Sequence, residues 1–470
     1  MESEFNFNSD YSSEYGVVKK FEEMLFSKKT IFFDVDEFED ILNYYSEENE
    51  TEKALKAVRY ALDLHPKSAS LLLSCAQLYV SIHKPQEALR FLNQAEEIAP
   101  YDIDLYYTKA TIFSQLRRYN KAIEQYKKAL AYADDEEKED ILMQLAFEYE
   151  NAGQYEQSIR TLQEILEERP ENEMALYELG FCYDHIDQID EGKKFFLSFI
   201  DEHPYSYIAW FNLGITYSKL KLYEKAIEAY DFSIAIKEDF TSAQINKASC
   251  YTQNSEYEKA IECYTETLEY DEDDPMIFTF IGECYEKMEQ YDRAIYYYRK
   301  AILTDNYMPD AWFGLANVYY ELGMDKEALS YIEEAIEKDS SNYEFYHLRG
   351  DILIQLGNSI AAILDYEKVL EHNSEDEEIY IDTALAYQDM NDIEEAIKVF
   401  QEGIDKQAEN AKLLYNFAAF LLRNNKTVLA YYYLNIALES FYDQRAELFE
   451  AFEEAKNNEE VINLIEYHKR

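Results

Sequence analysis

Between Ala209 and Asp239 the apolar positions recur at offsets of three and four. Trp210, Leu213, Gly214 and Tyr217 fall on one helical face, and Ala226, Tyr230 and Ser233 fall on a second. The polar run Ser218–Lys221 between them is too short for anything but an antiparallel helix hairpin. Neither helix can hide its apolar stripe alone, so the hairpin needs neighbours. The chain supplies them. The small residue that opens the second helix returns at Ala54, Ala88, Ala122, Ser158, Gly192, Ala226, Ala260, Ala294, Ala328, Ala362, Ala396 and Ala430, spaced by 34 residues except for 36 between Ala122 and Ser158.

Numbered from 1 to 34, the repeats agree in side-chain size as well as in spacing. Position 4 is large (Leu72, Tyr106, Leu176, Trp210, Trp312), position 8 is small (Ala76, Ala110, Gly180, Gly214, Gly282, Gly350), and position 11 is mostly Tyr. Large residues at 4, 11 and 24 fill the space between helices, while small ones at 8, 20 and 27 let backbones approach closely. A helix-turn-helix unit of this length and pattern resembles the tetratricopeptide repeat family. The resemblance implies an all-α, right-handed superhelical solenoid of antiparallel helix pairs. Twelve repeats are expected over residues 35–444. Residues 1–34 read as an acidic segment with a capping helix (Val17, Val18, Phe21, Met24, Leu25), and residues 445–470 as C-terminal capping helices of a truncated repeat. Some positions depart from the pattern: Lys109, Lys247 and Arg349 stand at position 7, where they are expected to snorkel along the packed surface.

The charge then changes the picture of the surface. With 96 Asp and Glu against 44 Lys and Arg, the formal net charge is −52, yet hydrophobic residues make up 47% and aromatics 16%, far from a disordered composition. The acid must lie on outward faces. That excess excludes nucleic acid and anionic membrane surfaces as partners and favours a protein or peptide with basic residues around an apolar centre. No oligomeric state follows from it. No stretch approaches 18 uninterrupted apolar residues and the N-terminus has no signal-like character, which leads to the expectation of a cytoplasmic protein. Five cysteines, none in a CxxC pair, read as buried free thiols.

No catalytic pattern is present: the sequence has no GxGxxG, P-loop, GxSxG or HExxH, and the seven His lie singly. Asp271–Asp274 lacks the glycine and distal glutamate of an EF-hand loop. No catalytic residue, no cofactor and no metal are therefore expected. By the resemblance, positions 2, 5, 9, 12 and 13 of the first helices line the groove in which partners lie. Positions 5 and 9 carry no Lys or Arg, which excludes a carboxylate clamp for chaperone tails. In repeats four to six the groove positions hold Met143, Phe147, Met174, Tyr177, Phe181, Ile208, Phe211 and Ile215, apolar residues on a face the fold does not need to bury. The reading is a non-catalytic scaffold or adaptor. A regulatory sensor for a peptide or small hydrophobic signal, and a non-catalytic subunit of a larger enzyme complex, are the alternatives.

Overall fold

The computed structural model describes residues 10–27, 31–270, 273–373, 376–407 and 409–469. The expected acidic stretch at residues 1–9, and the parts of the acidic runs at 271–272 and 375, lie outside the described residues. The chain divides into two compact units, Met1–Glu238 and Asp239–Arg470. Each is a solenoid of antiparallel helix pairs, and no strand occurs among the described residues.

The pairs are punctuated at the period seen in the sequence. Ten of the twelve first helices begin at a polar N-cap whose side chain accepts from a first-turn backbone N–H: Asp34, Ser68, Asp102, Asp134, Asn172, Ser206, Asp274, Asn342, Asp376 and Asn410. The acidic junctions thus have a structural use, since Asp134, Asp274 and Asp376 satisfy donors that the helix itself leaves open. Each first helix ends in a residue with left-handed φ, among them Asn49, His83, Lys221, Glu289 and Gly323. The next N–H reaches back five residues, as from Leu222 to Tyr217 O (2.9 Å) and from Gln290 to Tyr285 O (2.8 Å), which closes a Schellman turn. The chain is thereby reversed in three residues.

In the first unit the helix Asp10–Ser27 packs Val18, Phe21 and Met24 against Phe33, Phe38 and Tyr45 of the first hairpin. Phe21 meets Phe33 edge to face at 5.8 Å. Six hairpins follow, from Val35–Glu47 with Thr51–Leu64 to Tyr207–Lys219 with Tyr223–Ile236. The second unit holds six more, from Thr241–Gln253 with Tyr257–Thr267 to Ala411–Arg423 with Thr427–Phe441. The short helices Ala446–Ala451 and Glu459–His468 close it, burying Leu448, Ala455 and Val461.

Two cations at position 7 correct the expectation that they snorkel. Lys109 is 3% exposed and ion-pairs with Glu96 of the preceding hairpin. Burial alone would raise the Glu96 carboxyl, but the hydrogen bond and charge of Lys109 outweigh it and hold the group below its usual range. Arg349 forks onto the buried Asp365 of its own hairpin. The distance to an acid inside the packing, not the length of the side chain, decides where these heads go. All five cysteines are buried and none is in a disulfide. Burial raises Cys75 to about 12 and Cys284 to about 11, which leaves little thiolate.

Candidate functional site

The apolar groove positions belong to helices Asp135–Asn151, Glu173–His185 and Tyr207–Lys219 of the first unit. Asn172 caps the middle one by accepting from Ala175 N–H (2.8 Å), and Ser206 caps the last. The structure separates the eight candidates into two groups. Met174, Tyr177 and Phe181 are 58%, 52% and 46% exposed and run at i, i+3 and i+7, a single stripe along Glu173–His185. Phe147 and Ile215 are half-buried. Met143, Ile208 and Phe211 are buried, so the exposed stripe is narrower than the sequence suggests.

The reason lies between the helices. Asn212 Nδ2 donates to Leu176 O at 2.7 Å, and a Cβ at Gly180 would stand 2.6 Å from the Asn212 side chain. The helix Tyr207–Lys219 is therefore held tightly against Glu173–His185. Ile208 and Phe211 on that helix are buried, and the Phe211 ring rests 5.9 Å from Tyr230 of the paired helix. Met174 and Tyr177 occupy the same repeat positions one helix earlier and stay open. Sequence position alone does not distinguish them.

Beside the stripe is a hollow of about 150 Å³. Tyr177, Phe181, Ile189 and Ile215 form its apolar wall, and Gly180 and Asn212 also line it. An ion pair between Lys219 and Asp184 sits at its edge. A space of this size accepts one ring or branched aliphatic group; an apolar protein cavity of about 150 Å³ binds benzene. Phe181 is steadied by the rings of Tyr155 (6.4 Å) and His185 (5.6 Å). A further hollow of about 470 Å³ near Leu176, His203, Tyr205 and Ile208 has no counterpart in the sequence reading. Only the exposed Tyr205 beside a helix-stopping proline hints at it.

The second unit carries an acidic hollow of about 470 Å³ on helices Pro275–Lys287 and Pro309–Glu321. Glu286 is fixed there by Tyr298 O–H (2.6 Å) and Asn317 Nδ2 (2.6 Å). Glu283 is pushed up to about 7, first by burial and then by Glu286 and Asp310, with Lys287 opposing. Its folded value lies above the ordinary carboxylate value, so its stabilising contribution is full at low pH and is lost as pH rises through about 7. Thermal melts of the wild type between about pH 5 and pH 8 are expected to show this loss. In Glu283→Gln the same interval is expected to be flatter.

Family models described as tetratricopeptide repeat match residues 103–136, 140–172, 174–206, 207–240, 247–311, 286–352, 343–376 and 381–444. No curated protein matches the sequence. Among solved structures, the chain is similar to one in the crystal structure of the APC/C hetero-tetramer Cut9–Hcn1, at 15% identity and a TM-score of 0.43 over 84% of this chain and 90% of that one. Yeast Tom70 is matched at 14% identity and a TM-score of 0.43, over 78% and 91%. A tetratricopeptide repeat protein from Parabacteroides merdae is matched at 19% identity and a TM-score of 0.44, over 53% and 98%. No helix among the described residues is long and apolar enough to cross a membrane.

Proposed function

Because the chain belongs to the tetratricopeptide repeat family, we propose that it is a non-catalytic scaffold that holds polypeptide partners on the inner faces of its first helices. The observation that carries the reading is the open stripe Met174–Tyr177–Phe181 beside its apolar hollow. Large aromatic side chains that are exposed before binding and flank a pocket are the usual anchors of an interface. The partner is a segment with an apolar centre, which enters the hollow, and flanking Lys or Arg, which the net charge of −52 attracts. The helix Asp10–Ser27 of the acidic segment 1–34, and the helices Ala446–Ala451 and Glu459–His468 of the segment 445–470, serve as caps to twelve repeats over 35–444. Holding a peptide needs no cofactor, and five buried thiols outside any disulfide suit the reducing cytoplasm.

The test is a fluorescence anisotropy titration with a labelled peptide of Leu-Phe centre flanked by Lys, beside its Glu-flanked counterpart. The Lys-flanked peptide is expected to bind more tightly and to weaken with salt. The double variant Tyr177→Ser, Phe181→Ser is expected to lose at least about tenfold in affinity while its melting temperature stays close to that of the wild type. Equal binding by wild type and variant, or no binding by either peptide, overturns the proposal. Phe211 is left unchanged, since it is packed and its loss would confound stability with binding. The size of the hollow also supports the sensor reading, in which a small apolar molecule fills it. Competition by such a molecule against the peptide distinguishes the two.

A further inference from the structure

We propose that His347, Asp351 and Asp382 in the second unit form a binding site for a divalent transition-metal ion of the zinc type. His347 and Asp351 lie one turn apart on helix Tyr343–Gln355, and Asp382 comes from the next first helix, Glu377–Asp389. One ligand atom from each falls within 4.8 Å of the others. His347 Nε2 stands 3.0 Å from Asp382 Oδ2 and 3.9 Å from Asp351 Oδ1. Ligand atoms at about 2.0–2.2 Å from a zinc ion lie roughly 3–3.6 Å from one another, so small side-chain rotations close the triad on a metal.

The surroundings suit that use. Tyr366, which is 1% exposed, donates its O–H at 2.8 Å to Asp351 Oδ1, the same oxygen that faces His347, and so holds the carboxylate in place beside the imidazole. Two carboxylates face one imidazole, so an ion pair alone leaves negative charge behind. A bound cation neutralises that charge. A hollow of about 290 Å³, lined by Tyr320, Gln355 and Asp389 as well as by the two aspartates, leaves room for water on the remaining coordination positions. An imidazole with only two carboxylates fits zinc, cobalt or nickel better than calcium, which takes six to eight oxygens.

The experiment is a calorimetric titration of the full chain with Zn²⁺, with millimolar Mg²⁺ present to occupy weak surface carboxylates. It is paired with Co²⁺ absorption spectra. One strong Zn²⁺ site per chain is expected. It should weaken by at least about thirtyfold in His347→Ala and in Asp382→Asn, by about tenfold in Tyr366→Phe, and not at all in Glu224→Gln, which changes an exposed acid of the first unit. Zn²⁺ should raise the melting temperature of the wild type but not of His347→Ala. The wild-type Co²⁺ spectrum reads the ligands even if a variant folds poorly: visible d–d bands without a thiolate charge-transfer band are expected. No strong site, undiminished binding by folded His347→Ala, or a thiolate band overturns the proposal; the first result leaves the triad as an ion pair, and the last moves the metal to cysteine. None of these outcomes depends on the peptide site in the first unit.

Discussion

Arg349→Ala is expected to destabilise the second unit by about 3–5 kcal/mol, the usual consequence of removing one partner from a buried ion pair. Arg349 Nε and Nη2 each donate to Asp365 at 2.7 Å, one to each carboxylate oxygen. The Asp365 side chain is 4% exposed, so water cannot replace the lost donors. Lys368 is the only other cation paired with it among the described residues, at 3.9 Å and from an exposed position. Arg349→Lys should lie between, because an ammonium cannot make the two-pronged contact. Arg349→Met with Asp365→Leu removes both charges and should recover most of the loss. Urea titrations of the four proteins check this. A loss below about 1 kcal/mol for Arg349→Ala, or a double variant worse than the single, would mean that the pair is not what holds this hairpin.

The position of that pair shows where the sequence stops being legible. A basic residue at position 7 is visible as a departure from the repeat, but its partner is not. Lys109 finds Glu96 in the hairpin before it, whereas Arg349 finds Asp365 in its own. The choice depends on which acid the local helix approach brings within reach. The left-handed turn behaves similarly. It recurs with the repeat, yet at most sites it is filled by residues such as Lys221, Glu289 and Arg117 rather than by glycine, so local composition does not announce it. The packing of the hairpins on either side overrides the preference of the residue.

The candidate site divides along the same line. Periodicity alone puts Met174, Tyr177 and Phe181 on one face, and they are open. It gives Ile208 and Phe211 equivalent places, and they are buried, the Phe211 ring lying against Tyr230 of the paired helix. Lys219, part of the polar run between the two helices, closes the helix Tyr207–Lys219 and pairs with Asp184. The triad His347, Asp351 and Asp382 is invisible at the level of motif, since the third member stands 35 residues from the first and belongs to another helix. Contacts between repeats are set by the superposition of faces, which a scan for short motifs does not see.

The size pattern marks position 8 as small and position 24 as large, and the structure sets the two against each other, which supports the second large effect. Gly214→Leu is expected to destabilise the first unit by about 3 kcal/mol, at the upper end for overpacking. A Cβ on Gly214 would stand 2.4 Å from Tyr230 Cε1 and 2.7 Å from Cδ1, and Tyr230 is 1% exposed, so its ring has no free space into which to move. The same pairing recurs at Gly282 with Tyr298 and at Gly350 with Tyr366, whereas Gly180 at the same position meets Asn212 of the next hairpin. Gly214→Ala should already be harmful, since the first added carbon makes the clash. Glu228→Leu, on the exposed side of the partner helix, should be nearly silent. Because the cause is a collision with one ring, shrinking that ring should offset it: Gly214→Leu combined with Tyr230→Ala should be markedly less destabilised than the sum of the two single changes. Denaturant unfolding of these variants measures the coupling directly. Simple additivity would place the injury elsewhere and remove the physical basis for the small residue at position 8.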